Sequence, residues 1–449
     1  MVEREGKEQP KDRERRPRFD VSSRRRGKLG ELAGGARRRL RVRPRIRPRV
    51  FGYLTEEKES LRQGFASLFI SSTGELVAGI ALASISGTLE ELVGLAVLIP
   101  AAIGMRGAIF GAMGSRLSTS IQTGLFSFSL RRGVLAENIQ AAVVLSLISG
   151  VFLAFLARYL SDILGIATEL SVLDYLVISI TGGMIAGVLL LGITVLVARA
   201  SVARGWDMDN IAAPMITAAG DILTLPALVI GTLLIGIPIF SSGLAVALAL
   251  AAVAAVTLGM RHGTQNLRRI LAESLPILAL TGTVTILVGI ALEDRRDQFL
   301  AFAALLILLP PFLQEGGALG GILSSRLSSK IHLGLLAPRG LPPLSTFRDF
   351  ALVYIFATGV YLFIGGASHF LAVALALNSP GLLLMLGISA LAGLIATTAA
   401  VFAAYYGSIV SYRFGLDPDT YGIPIITASV DLLGFLSLII SFIVFGLAG

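Results

Sequence analysis

Residues 100–125 read PAAIGMRGAIFGAMGSRLSTSIQTGL, and residues 310–335 read PPFLQEGGALGGILSSRLSSKIHLGL. Eleven of the 26 aligned pairs are identical. A second pair of stretches, DMDNIAAPMITAAGDIL (207–223) and DPDTYGIPIITASVDLL (417–433), shares eight of 17. Both pairs stand 210 residues apart without a gap. Chance matching of apolar residues does not produce one common offset twice, so the chain is a tandem duplication.

The surroundings of these stretches set the fold class. A helix that spans a membrane needs about 20 apolar residues. Such segments are predicted near 65–88, 92–113, 137–159, 171–198 and 211–237, then at 242–260, then near 274–292, 299–323, 347–376, 380–410 and 421–447. The expectation is an all-α polytopic membrane protein of about 11 transmembrane helices. Two five-helix repeats, 63–238 and 263–449, are joined by one linker helix within 239–262, after a basic tail over 1–62. Five is odd, so direct fusion would invert the second copy. The extra crossing at 242–260 makes the repeats parallel, related by a pseudo-two-fold axis along the membrane normal, a pseudo-dimer within one chain.

Composition agrees. Of 449 residues, 54% are hydrophobic and only 15% charged, against about a quarter charged in soluble domains. A soluble globular enzyme is excluded. The net charge of +9 is unevenly placed: residues 1–62 hold 21 basic and 10 acidic side chains, and the rest holds 17 and 19. Runs such as SRRRGK (23–28) and RRRLRVRPRIRPRV (37–50) are too polar to bury a core, so disorder is expected there. The tail lacks the apolar region of a cleavable signal peptide. It reads either as a headgroup or RNA contact, or as a solvated segment that sets topology; the second needs no specific partner, and no nucleic acid is expected. With the N-terminus cytoplasmic, thirteen Arg and Lys fall at the inner helix ends and only Arg158, Arg295 and Arg296 at the outer ones. This positive-inside bias gives a multi-pass cell-membrane protein with an external C-terminus. The chain has no cysteine, hence no disulfide or thiolate site.

Ionisable groups inside a membrane are costly and mark function by default. Asp221 and Asp431 occupy the same position in the fifth helix of each repeat, with Thr217 and Thr427 one turn earlier on the same face. Two carboxylates and two hydroxyls converging on an axis suit a hard divalent cation that keeps most of its water. The bland alternative is that each Asp anchors a neighbouring helix. Asp207, Asp209, Asp417 and Asp419 precede these helices, either gathering cations at a pore mouth or capping the helix starts. Glu75, whose repeat partner is Thr285, and Glu315, near the position equivalent to Arg106, are further candidates for the pathway lining. Arg106 and Glu315 could also pair across the axis. The second helices carry Gly104, Gly107, Gly111 and Gly114, and Gly316, Gly317, Gly320 and Gly321, after Pro100 and Pro310. Close packing is the simpler reading, a broken helix the other. His332 and His369 read as hydrogen-bonding groups. No Walker A loop, HExxH or Ser-His-Asp spacing is present, so no enzymatic function and no cofactor are expected.

At these motifs the sequence resembles the MgtE-type divalent-cation transporter family, in particular its two-domain members such as the eukaryotic magnesium carriers of the solute-carrier class. GMRGAIFGAMGSRLSTSIQTG (104–124) is similar to the family's second-helix stretch, and DMDNIAAPMITAAGD (207–221) and DPDTYGIPIITASVD (417–431) to its fifth-helix pattern. The resemblance spans 63–449. It implies a Mg²⁺ pathway between two five-helix bundles, with Asp221 and Asp431 where the family's pore aspartate binds hydrated ion. Ala108 and Ala318 stand where the family usually has Asn, and Phe110 where a Glu is often found. The bacterial sensor domains have no counterpart in this sequence, so closure driven by them is not expected. The expected function is divalent-cation transport with Mg²⁺ as cargo and membrane lipid as surroundings. The alternatives are a proton- or Na⁺-coupled carrier using the same carboxylates, and a membrane scaffold acting through its tail.

Overall fold

The computed structural model describes residues 58–204, 208–235, 240–414 and 423–447. Among these, eleven helices are long and apolar enough to cross a membrane. The first half contains α1 (Lys58–Ser84), the short α2 (Ser86–Glu91), α3 (Leu95–Gln122), α4 (Val134–Leu164), α5 (Val172–Arg204) and α6 (Met208–Thr232). A single helix, α7 (Phe240–His262), follows. The second half contains α8 (Gln265–Asp294), the short α9 (Arg296–Ala301), α10 (Ala303–His332), α11 (Phe347–Ala374), α12 (Leu382–Phe414) and α13 (Ile423–Val444). The 210-residue repeat is visible in the backbone: α2 and α9, and α5 and α12, begin and end at matching residues.

Several helices outrun their apolar windows. α3 continues to Gln122 because its polar last turns find partners: Arg116 Nε donates to Asn138 Oδ1 of α4 at 2.7 Å. α10 extends likewise to His332, with Lys330 Nζ 2.6 Å from the Asp349 carboxylate of α11. Pro100, Pro310 and Pro311 lie inside helices that run on through them. The helices are not broken there; of the glycines that follow, Gly316, Gly317 and Gly320 pack closely on α13, whereas Gly107, Gly111 and Gly321 have nothing within 4 Å of the place a Cβ would take.

The third helices do not keep the common offset. Ser179 Oγ donates to the Gly150 carbonyl at 2.7 Å, and Ser389, 210 residues on, lies against Gly365. Gly365 is 215 residues after Gly150, so at this contact α11 is displaced by five residues. The connection before it (333–346) is three residues longer than that before α4 (123–133), α11 is three residues shorter than α4, and the connections after them (165–171 and 375–381) are equal in length.

The first helices are exchanged between the halves. α8 packs on α3 and α4 of the first half and on α13 of its own. α1 does the converse. Phe65 meets Phe356 of α11 edge-on at 4.9 Å and Phe69 meets Phe363 at 4.8 Å. Ser72 Oγ donates to Glu315 of α10 at 2.8 Å, and Gly74 touches Ala218 of α6. A polar stitch joins the halves at the start of α3, where the Ala96 amide donates to Glu293 of α8 at 3.1 Å. Lipid tails are as apolar as leucine, so such contacts are held by close packing rather than by transfer from water. Gly79 and Gly289, equivalent in the repeat, sit at the tightest points. A methyl group at Gly79 would overlap the Ile307 carbonyl, and one at Gly289 the Val97 carbonyl. Gly79→Ala and Gly289→Ala should each destabilise the protein by about 1–3 kcal/mol. Thermal unfolding in detergent measures this, with Gly243→Ala, which meets nothing within 4 Å, as the silent control. Equal midpoints for all three would refute the interlock.

α7 packs on α4 and α5, with Ala245, Ala252 and Gly259 buried. Among the described residues no helix covers α11 and α12 in the corresponding way.

Candidate functional site

The fifth helices, α6 and α13, carry a buried stripe at helical spacing: Ile216, Thr224, Leu225 and Leu228 on one, Ile426, Val430, Phe435 and Leu438 on the other. That stripe fixes the rotation of each helix and turns the adjoining face toward the opposite half. Thr217 and Asp221 lie one turn apart on α6, and Thr427 and Asp431 on α13; all four line one cavity of about 330 Å³. The wall repeats by halves. Ile99 is matched by Leu309, Pro100 by Pro310, Ile103 by Leu313 and Gly104 by Gln314. α8 adds Thr281, Thr285 and Val288. The cavity is thus lined by residues that hold equivalent positions in the two repeats.

The acid groups are asymmetric. Asp221 is 4% exposed, whereas Asp431 is half-buried. The carboxyl groups of Asp221 and Glu75 lie close together, and Asp221 is close enough to Asp431 for their charges to repel. Glu75 itself lies behind Asp221, outside the cavity wall, with one oxygen unpartnered. Its repeat equivalent, Thr285, reaches the wall and returns its hydroxyl proton to the Thr281 carbonyl at 3.0 Å. One half thus backs the cavity with a second acid and the other with a hydroxyl.

The remaining sequence candidates fall elsewhere. Glu315 is fully buried, accepts from Ser72, and does not line the cavity. Arg106 points the other way, against Gly183 of α5, and its Nε and Nη1 have no partner among the described residues. The two make no ion pair. Asp207, Asp417 and Asp419 lie outside the described residues, as does the side chain of Asp209. His332 bonds to the Ser328 carbonyl at 2.8 Å and His369 to Ser379 Oγ at 2.7 Å. Gln314 and Thr281 were not anticipated. Gln314 is polar and intramembrane, but its repeat partner is Gly104, so a search for residues present in both copies passes over it.

Among the described residues no three His, Cys, Asp or Glu side chains form a group able to hold a metal ion. The cavity is no closed cage for a bare ion. It has room for a hydrated one: six waters at about 30 Å³ each occupy about 180 Å³. Ala108 lines the wall, so the position at which the family usually has a polar Asn presents only a methyl group here.

Comparison with known proteins gives the same answer. The MgtE family, described as a divalent cation transporter, matches residues 99–231 and again 309–441. Solute carrier family 41 member 2 of Xenopus laevis is 26% identical over 402 residues, covering 80% of this chain and 67% of its own length. The Mus musculus protein of the same name is 25% identical over 377 residues, covering 77% and 63%. The chain thus spans about two thirds of the length of these relatives. No solved structure matches. Both matched stretches contain a fifth-helix aspartate of the cavity, and together they cover more than half of the chain: it belongs to the MgtE divalent cation transporter family.

Proposed function

We propose that the protein carries Mg²⁺, or a divalent ion of similar hydration, through the cavity on the pseudo-two-fold axis between the repeats, 63–238 and 263–449, with 239–262 as the linker. The observation that carries this reading is the cavity wall itself, where Asp221 and Asp431 arrive from opposite halves with Thr217 and Thr427 beside them. Mg²⁺ sheds water reluctantly, so one or two carboxylates touching a largely hydrated ion is the expected design. The aspartates supply charge, and the hydroxyls orient the ion's water. The basic residues at the helix ends support a cytoplasmic N-terminus, and a membrane potential negative inside draws cations inward.

A coupled-carrier reading is favoured by one observation, the Glu75 carboxyl held against Asp221. It supplies an additional acid that could hold a coupling proton or Na⁺. One experiment separates the two: uptake of Mg²⁺, Mn²⁺, Co²⁺ and Ca²⁺ into proteoliposomes under an imposed membrane potential, with and without pH and Na⁺ gradients. Uptake of Mg²⁺ that follows the potential alone is expected. Uptake that vanishes without a pH or Na⁺ gradient would replace this reading by the coupled one, and no uptake of any divalent ion would overturn both.

A further inference from the structure

The second half has a pocket walled by aromatic side chains. It lies between the start of α11 and the last turns of α12, has a volume of about 430 Å³, and is walled by Phe347, Phe350, Tyr354, Phe402, Tyr405 and Tyr406, with Pro342 at its edge. The repeat equivalents of the four α12 positions, counting Val401, are Leu191, Gly192, Val195 and Leu196, with no aromatic ring among them. In the first half α7 covers α4 and α5. The aromatic pocket thus lies in the half that has no such covering helix.

The chemistry of the wall defines an occupant. Two of its hydroxyls are already used: Tyr354 bonds Thr398 Oγ1 at 2.8 Å, and Tyr405 donates to the Arg339 carbonyl at 2.8 Å. What they leave to the interior is ring carbon. Phe347, Phe402 and Tyr406 remain 52%, 58% and 44% exposed, so the pocket opens outward. The connection before α11 forms its rim. Tyr405 straps Arg339 there, and Arg413 Nη2 donates to the neighbouring Pro338 carbonyl at 3.4 Å. Arg339 and Arg413 are both exposed, so two basic residues stand on the connection and helix end that border an apolar slot. Its size decides between a chain and a helix. A helix is at least about 10 Å across with a 5.4 Å pitch, so 430 Å³ would seat only about one turn. The volume suits a single acyl chain and falls in the range of small-ligand pockets.

We propose that this pocket is a binding site for one anionic phospholipid per chain. An acyl chain lies among the rings of α11 and α12, and the headgroup phosphate is held at Arg339 and Arg413. Basic groups beside an apolar cleft at a membrane surface recognise anionic headgroups, and the aromatic belt marks the interfacial depth.

The test is local quenching. A single tryptophan is placed at the wall by Phe402→Trp in a Trp206→Phe background, and the full chain is reconstituted with brominated phosphatidylglycerol or brominated phosphatidylcholine at increasing fractions. The expected result is quenching that saturates at low phosphatidylglycerol fraction, with at least fivefold preference over phosphatidylcholine. That preference should fall below twofold in Arg339→Gln with Arg413→Gln. The basic N-terminal tail is present in every sample and lies outside the comparison. Native mass spectrometry should retain one phosphatidylglycerol in the parent protein and lose it in the double arginine variant. Equal quenching by both lipids would show ordinary bilayer contact and overturn the proposal. So would a preference that survives the arginine substitutions, or exclusion of both lipids by a second copy of the chain.

Discussion

Replacing Asp221 and Asp431 together by asparagine is expected to abolish Mg²⁺ uptake into proteoliposomes while leaving the protein folded. Asn matches Asp in volume, so the packing of α6 and α13 is preserved; only charge is withdrawn from the cavity wall. A hydrogen bond to a charged group contributes about 1.5–3 kcal/mol, which corresponds to about ten- to a hundredfold in affinity. Each single variant should therefore lose about one to two orders of magnitude in uptake, and the double variant should fall to the background of empty liposomes. Asp221→Asn also removes a carboxylate pressed against Glu75, so its unfolding midpoint should not drop. Uptake by the double variant at the parent rate would disprove the role of both residues. Loss of uptake together with a lower midpoint would mean that the aspartates serve the fold.

The second large effect lies at one end of α10. Asp349 is 1% exposed and is held by Lys330 Nζ at 2.6 and 2.8 Å, with Arg326 Nε at 3.6 Å. The partners differ in how they bear separation. Lys330 is 39% exposed, so once released it can turn to water, whereas Asp349 cannot. Removing the cation should therefore cost more than removing the acid. Breaking a buried pair by deleting one partner costs about 3–5 kcal/mol, and replacing both by apolar groups is often neutral. With discount for the exposed lysine and the second cation, Lys330→Met should destabilise by about 2–3 kcal/mol. Asp349→Asn should cost less, and Lys330→Met with Asp349→Leu should recover most of the loss. Thermal unfolding of the three proteins in detergent decides it. A double variant worse than Lys330→Met would refute the argument.

The fold was legible for a simple reason. In a membrane each helix must satisfy its own backbone, so long apolar segments become helices regardless of their neighbours. That is why eleven segments and eleven helices agree. What escaped was set by partners distant in sequence. The polar ends of α3 and α10 are helical because Asn138 and Asp349 receive their cations. The five-residue displacement of α11 was hidden because a longer connection before it is offset by a shorter helix, leaving the flanking motifs in phase. Within the site, the aspartates and threonines of the wall stood out because duplication repeats them. Gln314 and Thr281 did not, since their copies are Gly104 and Ser71. The burial of Arg106 against Gly183 depends on a glycine of α5 that nothing in α3 announces.

The exchange of α1 and α8 has a consequence for how the molecule is made. Synthesis runs from the N-terminus, and Gly79 is followed by 227 further residues before Ile307, its partner across the interlock, is added. Helices insert one by one, yet α1 stays without the α10 and α11 surfaces it covers until most of the second half has been translated. The first five membrane helices therefore cannot close as a finished unit on emergence, and the start of α3 waits in the same way for Glu293. Insertion and packing are separate stages for this chain. Halves produced from two messages, cut within the segment before α7, should each be incomplete and should assemble only when made together in one membrane.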